Sequence, residues 1–381
     1  MQGKGERYVF LDGLRGLAAL SIAAHHFTQH SGHRELFASA ALAVDFFFCL
    51  SGFVLAHAYY ARLAAGMNLG SYLRKRLIRL YPMYIVGMLL GIGATVYLHE
   101  VGFTSMSWAK IRNAALFNVF YIPYFNEEWI RTFVLKLHGA VFPMNNPAWS
   151  LFFGIIANMV FAASVRFWKN APIVILATSI AIFLAIQGNY REGPGWSTFN
   201  FIAGFPRVFF SFFMGVVIFQ YRHRFQALPR IAWPILFFTI VALVLVPRFP
   251  GHKYYWLFGA LIVMPLLVSM GSQSPVTKGS FWHKALLYSG RISYPVFCIH
   301  YPLLMVAGTV DPNTPFFWPM WILFLVVTLV LSHLFLVHYD EPFRAWLTAK
   351  LESPRANHPA KDQHGGTREA ASAGVGDHPR V

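Results

Sequence analysis

Ten stretches of this chain are apolar for about the length that crosses a bilayer, and nothing else in the sequence limits the fold as strongly. They run over residues 8–28, 41–60, 80–98, 148–165, 171–188, 200–220, 231–247, 254–271, 286–306 and 317–339. A spanning helix needs about 20 predominantly apolar residues. The expected fold is therefore all-α, a polytopic membrane helical bundle of about ten transmembrane helices. Composition agrees: 56% of the 381 residues are hydrophobic and only 12% charged, against about 25% charged in soluble globular chains.

The net charge of +16 would suit a nucleic-acid binder if it formed one patch, but the basic residues follow the loops. That distribution is the orientation signal of a membrane protein. With the N-terminus inside, the inner segments hold Lys4, Arg7, Arg62, Arg74, Lys75, Arg76, Arg79, Arg166, Lys169, Arg222, Arg224, Arg230, Lys278 and Lys284, and the C-terminal tail adds six more, from Arg344 to Arg380. The outer loops hold Arg34, Lys110, Arg112, Arg131, Lys136, Arg191, Arg248 and Lys253. The imbalance of 20 against 8 places both termini in the cytoplasm of a cell whose inner or plasma membrane the chain crosses. Cys49 and Cys298 both lie in apolar segments, so neither a disulfide framework nor a metal-ligand spacing is available. Asp12 and Arg15 interrupt the first apolar stretch, and no small-residue cleavage site follows, so a cleaved signal peptide is not expected.

Two regions stand outside the spans. Between His99 and Pro147 aromatic residues alternate with Lys110, Arg112, Glu127, Glu128 and Arg131, a pattern that suits interfacial helices or a cap over the outer mouth. From Ser353 onward large apolar residues nearly vanish, as in a disordered tail. The division expected is a membrane domain over 1–345 and a cytoplasmic tail over 346–381.

The first span, YVFLDGLRGLAALSIAAHHF from Tyr8 to Phe27, carries Asp12, Arg15, His25 and His26. Ionisable groups inside a spanning helix cost about 2.5–3.5 kcal/mol each on insertion scales, which makes each a functional candidate. Arg15 and His26 are eleven positions apart, about 1100° of rotation, so they share a face with roughly 16 Å of rise between them. His25 points about 100° away. Asp45 opens the second span at the depth of His26. It can orient and stabilise that imidazole as the acid of a triad does, or simply favour its own helix N-terminus. In SYLRKRLIRLYP, Arg76 and Arg79 share a face of the helix entering the third span. Such a cluster either fixes topology and binds anionic lipid or forms a phosphate site of directed guanidinium bonds. Arg207 is buried among phenylalanines and needs a partner that the sequence does not identify. Arg291 and Arg344 can be read as cations snorkelling to the interface.

The motifs LDGLRGLAALSIAAHHF, VDFFFCLSGFVL, RKRLIRLYP, PAWSLFF, GRISYPVFCIHYPL and YDEPFR, in that order, resemble the successive signatures of acyltransferase family 3. These are multi-span O-acyltransferases of surface polysaccharides, peptidoglycan and small molecules such as macrolides. The resemblance covers Tyr8 to about Arg344. It implies a helical membrane domain that takes acyl-CoA as donor substrate, with no permanently bound cofactor and no metal, and passes the acyl group to a carbohydrate, glycolipid or small-molecule hydroxyl at or across the membrane. The family's Arg-and-His motif falls on Arg15 and His26, and its Arg-x-x-Arg motif on Arg76 and Arg79. One position departs: many relatives carry Glu where this chain has Gly154.

A thioester is already activated, so the catalyst must chiefly deprotonate a hydroxyl and hold the geometry. On this reading His26 is the general base and Asp45 its orienter. Arg15 lies along the pantetheine path or near the developing oxyanion, and Arg76 and Arg79 hold CoA phosphates. A transporter would also use intramembrane Arg, His and Asp, but should show broken helices in related halves, which the sequence lacks. A catalytically silent binding or scaffold relative is the alternative that Gly154 raises.

Overall fold

The computed structural model describes residues 8–29, 36–190, 193–225, 231–311 and 315–352. Lys4, Arg7, Arg34, Arg191, Arg230 and the tail from Ser353 lie outside the described residues. Fourteen helices follow one another among those described: α1 (Val9–Thr28), α2 (Ala41–Ala64), α3 (Leu69–Glu100), α4 (Trp108–Val119), α5 (Ala148–Phe167), α6 (Ala171–Ile186), α7 (Gly204–Gln220), α8 (Arg222–Phe225), α9 (Trp233–Leu245), α10 (His252–Phe258), α11 (Met264–Gly271), α12 (Phe281–Ala307), α13 (Phe317–Phe335) and α14 (Glu341–Glu352). A two-stranded antiparallel hairpin, β1 (Trp129–Arg131) with β2 (Lys136–His138), lies between α4 and α5. Helix starts follow local chemistry. Asn68 caps α3 by accepting from the Ser71 amide at 3.1 Å, and Ser280 caps α12 through the His283 amide at 3.1 Å. Such a cap is worth about 1 kcal/mol.

All ten apolar stretches fall on helices. Five helical runs are long and apolar enough to cross a bilayer by length and composition: Ala41–Ala64, Leu69–Glu100, Ala148–Phe167, His252–Gly271 and Phe317–Leu351. The apolar helices α6, α7 and α9 are shorter, at 16, 17 and 13 residues. The chain is thus an all-α membrane bundle in which five helical runs have the length and composition of a crossing. Helix continues through Glu352 in α14, past the boundary at 345 drawn from the sequence.

The segment between α3 and α5 divides into parts that the sequence did not separate. Trp108 packs edge-on against His99 near the end of α3, with ring centres 4.6 Å apart. At the other end of α4, Tyr84 Oη donates to the Asn118 carbonyl and Tyr81 Oη to that of Val119 at 3.4 Å. So α4 runs back down the flank of α3 and does not lie across its end. The hairpin is the cap: Ile130, Leu135 and Leu137 pack with Ala23 and Phe27 of α1 and Phe324 of α13. Residues 139–147 then descend without helical structure, wholly buried, to the middle of α3 and α12. There a Cβ on Gly91 would stand 1.8 Å from the Met144 carbonyl oxygen, and Asn145 Nδ2 donates to the Cys298 carbonyl at 2.8 Å. Irregular backbone is tolerated at such depth where protein surrounds it or a cavity adjoins it.

Candidate active site

Helices α1 and α12 meet along a seam of small residues. A Cβ on Gly16 would fall 2.0 Å from Ser289 Oγ, so only glycine lets the two backbones come this close. That approach explains the run DGLRG and brings Arg15 onto α12. Arg15 Nε donates to Ser293 Oγ at 2.9 Å, Nη2 donates to the Gly290 carbonyl, and Nη1 lies 3.5 Å from Asp12 Oδ1. His26, three turns on, also meets α12: its Nδ1 is 3.4 Å from His300 Nε2. The shared face inferred for Arg15 and His26 is thus the face toward α12. The two residues serve different ends of the seam, and Arg15 is too far down it to stand beside an oxyanion at His26.

The contacts of His300 favour one polarity for the imidazole pair. His300 Nδ1 lies 3.0 Å from the Val296 carbonyl oxygen, which can only accept, so Nδ1 carries the proton. His300 Nε2 is then an acceptor and draws the proton of His26 to Nδ1. The lone pair of His26 is left on Nε2, the arrangement a general base requires. His300 was visible in the sequence as a histidine within an apolar span, but nothing in spacing tied it to His26, 274 residues away. His25 is buried at 7% exposure on the adjoining face.

Asp45 does not orient His26. Its carboxylate accepts from Arg207 Nε at 3.0 Å, Arg207 Nη2 at 3.1 Å, Trp256 Nε1 at 2.9 Å and Ser211 Oγ at 3.4 Å. The cause lies in helix phase. Asp45, Cys49 and Gly52 recur on the face of α2 that packs on α7, where a Cβ on Gly215 would stand 1.8 Å from the Cys49 carbonyl oxygen. Matching the depth of two residues says nothing about which neighbour each faces. Arg207 thereby gains the partner that the sequence left open, and it also stacks over Trp149 and Trp256 at 5.4 and 5.3 Å.

At the lower end of the seam the arginines converge. Arg79 lies within electrostatic reach of Arg15, Arg76, Arg344 and Asp12, so three helices, α1, α3 and α14, contribute to one cationic cluster. Arg76 Nε is buried without a hydrogen-bond partner, a donor available to an anion. The YDEPFR motif forms the adjoining wall. A π turn over Leu336–Asp340 adds a residue to the last turn of α13 and carries Asp340 inward, where its Oδ2 pairs with Arg344 Nη2 at 2.7 Å. Glu341 takes Arg291 in a fork of 3.0 and 2.7 Å. Arg291 and Arg344 are paired, not loose snorkellers. At Gly154, on α5, an added Cβ would meet nothing within 4 Å. One turn on, Asn158 donates to the Gly154 carbonyl at 2.6 Å and accepts from Tyr72 Oη of α3 at 2.9 Å.

A helical membrane bundle with a partly buried imidazole pair at one end of a seam and clustered guanidinium groups at the other defines a class of intramembrane group-transfer catalyst. The acyltransferase domain profile matches residues 8–337, and the chain belongs to acyltransferase family 3. It is a membrane acyltransferase. It is 34% identical over 199 residues to "Protein 2 in picA locus" of Rhizobium radiobacter, an alignment covering 50% of this chain and 99% of that relative. No solved structure matches.

Proposed function

We propose that the protein moves an acyl group, acetyl in the simplest case, from acyl-CoA to a hydroxyl of a carbohydrate or glycolipid acceptor, in an inner or plasma membrane crossed about ten times with both termini cytoplasmic. The membrane domain of 1–345 carries the reaction, and the remainder is a cytoplasmic tail. The observation that carries this reading is the polarity of the His26–His300 pair, which turns the lone pair of His26 to Nε2 at the opposite end of the α1–α12 seam from the arginines. Arg76 and Arg79, with Arg15 behind them, hold the phosphates of the donor, and the pantetheine arm extends up the seam. His26 Nε2 takes the proton of the acceptor hydroxyl as its oxygen attacks the thioester carbonyl carbon. The C–S bond breaks, and the departing CoA thiolate recovers the proton from the imidazolium. His300 holds the tautomer and shares the positive charge through Nδ1–H of His26. No resident cofactor or metal enters the scheme.

The decisive experiment is to incubate the purified chain in lipid nanodiscs with radiolabelled acetyl-CoA and a panel of glycans. Label in a glycan, absent with His26→Ala, supports the proposal. Movement of a solute without label transfer would indicate a transporter. Binding of acyl-CoA without turnover would indicate a silent relative, the second reading that the vacant space at Gly154 favours.

A further inference from the structure

The buried, non-helical stretch over 139–147 ends in two asparagines whose side chains the helical frame does not use up. Asn145 and Asn146 are 4% and 8% exposed, and the Oδ1 atom of each is buried without a hydrogen-bond partner. The amide of Asn145 is oriented by its bond from Nδ2 to the Cys298 carbonyl, which leaves its oxygen as the outstanding group. Asn146 lies beside the Tyr301 hydroxyl, and the Tyr301 ring packs edge-on against His26, with ring centres 5.4 Å apart. Buried polar atoms are nearly always satisfied, and an unsatisfied one requires an explanation, of which a binding role beside a reactive group is one. An amide oxygen only accepts, so what it binds must donate. The stretch descends from the hairpin that caps α1, at the opposite end of the seam from the arginines.

We propose that Asn145 and Asn146 form an acceptor subsite: their amide oxygens accept hydrogen bonds from hydroxyls flanking the one that loses its proton to His26. The ligand class is a polyhydroxylated molecule with free neighbouring hydroxyls, a sugar and not a simple alcohol. The inference rests on the transferase reading above and deepens it. The same chemistry could serve the pantetheine amide N–H groups of the donor, so the test has an arm for each source.

Equilibrium binding of methyl hexosides and their monodeoxy analogues is measured on the full chain in nanodiscs, alongside acetyl-CoA binding and hydrolysis. The parent should bind at least one parent glycoside more tightly than its deoxy forms. Asn146→Leu should weaken that glycoside by about tenfold, the loss of one hydrogen bond, and abolish discrimination against the deoxy analogue, with acetyl-CoA binding unchanged. Asn146→Asp, which keeps an acceptor oxygen, should recover part of the loss where Asn146→Leu does not. Weakened acetyl-CoA binding with intact glycoside binding would assign the oxygens to pantetheine and overturn the proposal. So would a parent that binds no hexoside, or an Asn146→Leu protein that is folded and unchanged in both arms. Hydrolysis of acetyl-CoA with no hexoside bound would sink the subsite and leave the transferase standing, whereas loss of donor turnover in the parent would sink the transferase itself.

Discussion

His25 and His26 are adjacent, yet only one should matter for chemistry. His26→Ala should lower acyl transfer by about 10²–10⁴, the usual contribution of a general base, while His25→Ala keeps most of the rate; membrane insertion of both variants, followed by labelled-acetyl transfer, compares them directly. The reverse result would mean that the phase of α1 is wrong. Asp45 and Arg207 carry a different risk. Both are almost fully buried, at 1% exposure each, and removing one charge of such a pair leaves the other uncompensated, at a cost of about 3–5 kcal/mol. Asp45→Asn should therefore reduce thermal stability in detergent sharply, and much more than it changes the pH profile of any surviving activity. An orienting acid of His26 would do the opposite. At Gly154 the surroundings predict tolerance: the helix interior already bears about 0.5–1 kcal/mol for glycine relative to alanine, and no atom stands within 4 Å of a new Cβ. Gly154→Glu should express normally and raise acetyl transfer above the parent. A fully active parent with a dead Glu variant would mark glycine as an adaptation.

Among elements, α3 carries the proposed donor end. Arg76→Ala and Arg79→Ala should each weaken acyl-CoA more than a dephospho-CoA donor, and lysine should restore binding only in part because a point charge replaces a directed fork; equal losses for both donors in a titration would point to lipid binding or topology instead. The placing of these elements shows what a sequence can carry. Apolar length and charge bias marked every helix that holds a named site residue, and the eleven-residue spacing of Arg15 and His26 correctly put them on one face. Periodicity fixes the phase within a helix. It cannot say which helix lies opposite, and so Asp45 was matched to His26 by depth when the glycine contacts of α2 and α7 turn it toward Arg207. His300 escaped assignment for the same reason. The descent of residues 139–147 was equally illegible, because a buried irregular strand of chain has no period, and its aromatic surroundings read as an interfacial cap.

For the molecule as a whole, the ten-crossing arrangement can be tested with single cysteines, since Cys49 and Cys298 are both buried. A membrane-impermeant maleimide should label Glu127→Cys in intact cells and Ala65→Cys only after permeabilisation; the opposite pattern would invert the proposed orientation. The α1–α12 seam also sets a problem of timing. Arg15 and Ser293 are separated by 278 residues, which at about 5–20 residues per second of synthesis is roughly 15–55 seconds. During that interval α1, which is not among the helices long and apolar enough to span by length and composition, is without the α12 groups that Arg15 binds in the finished fold, while Asp12, three residues away, is already in place. The helix that carries the proposed base is thus made early and completed late, and a ribosome that stalls before α12 leaves behind a first helix whose arginine still lacks its partners on α12.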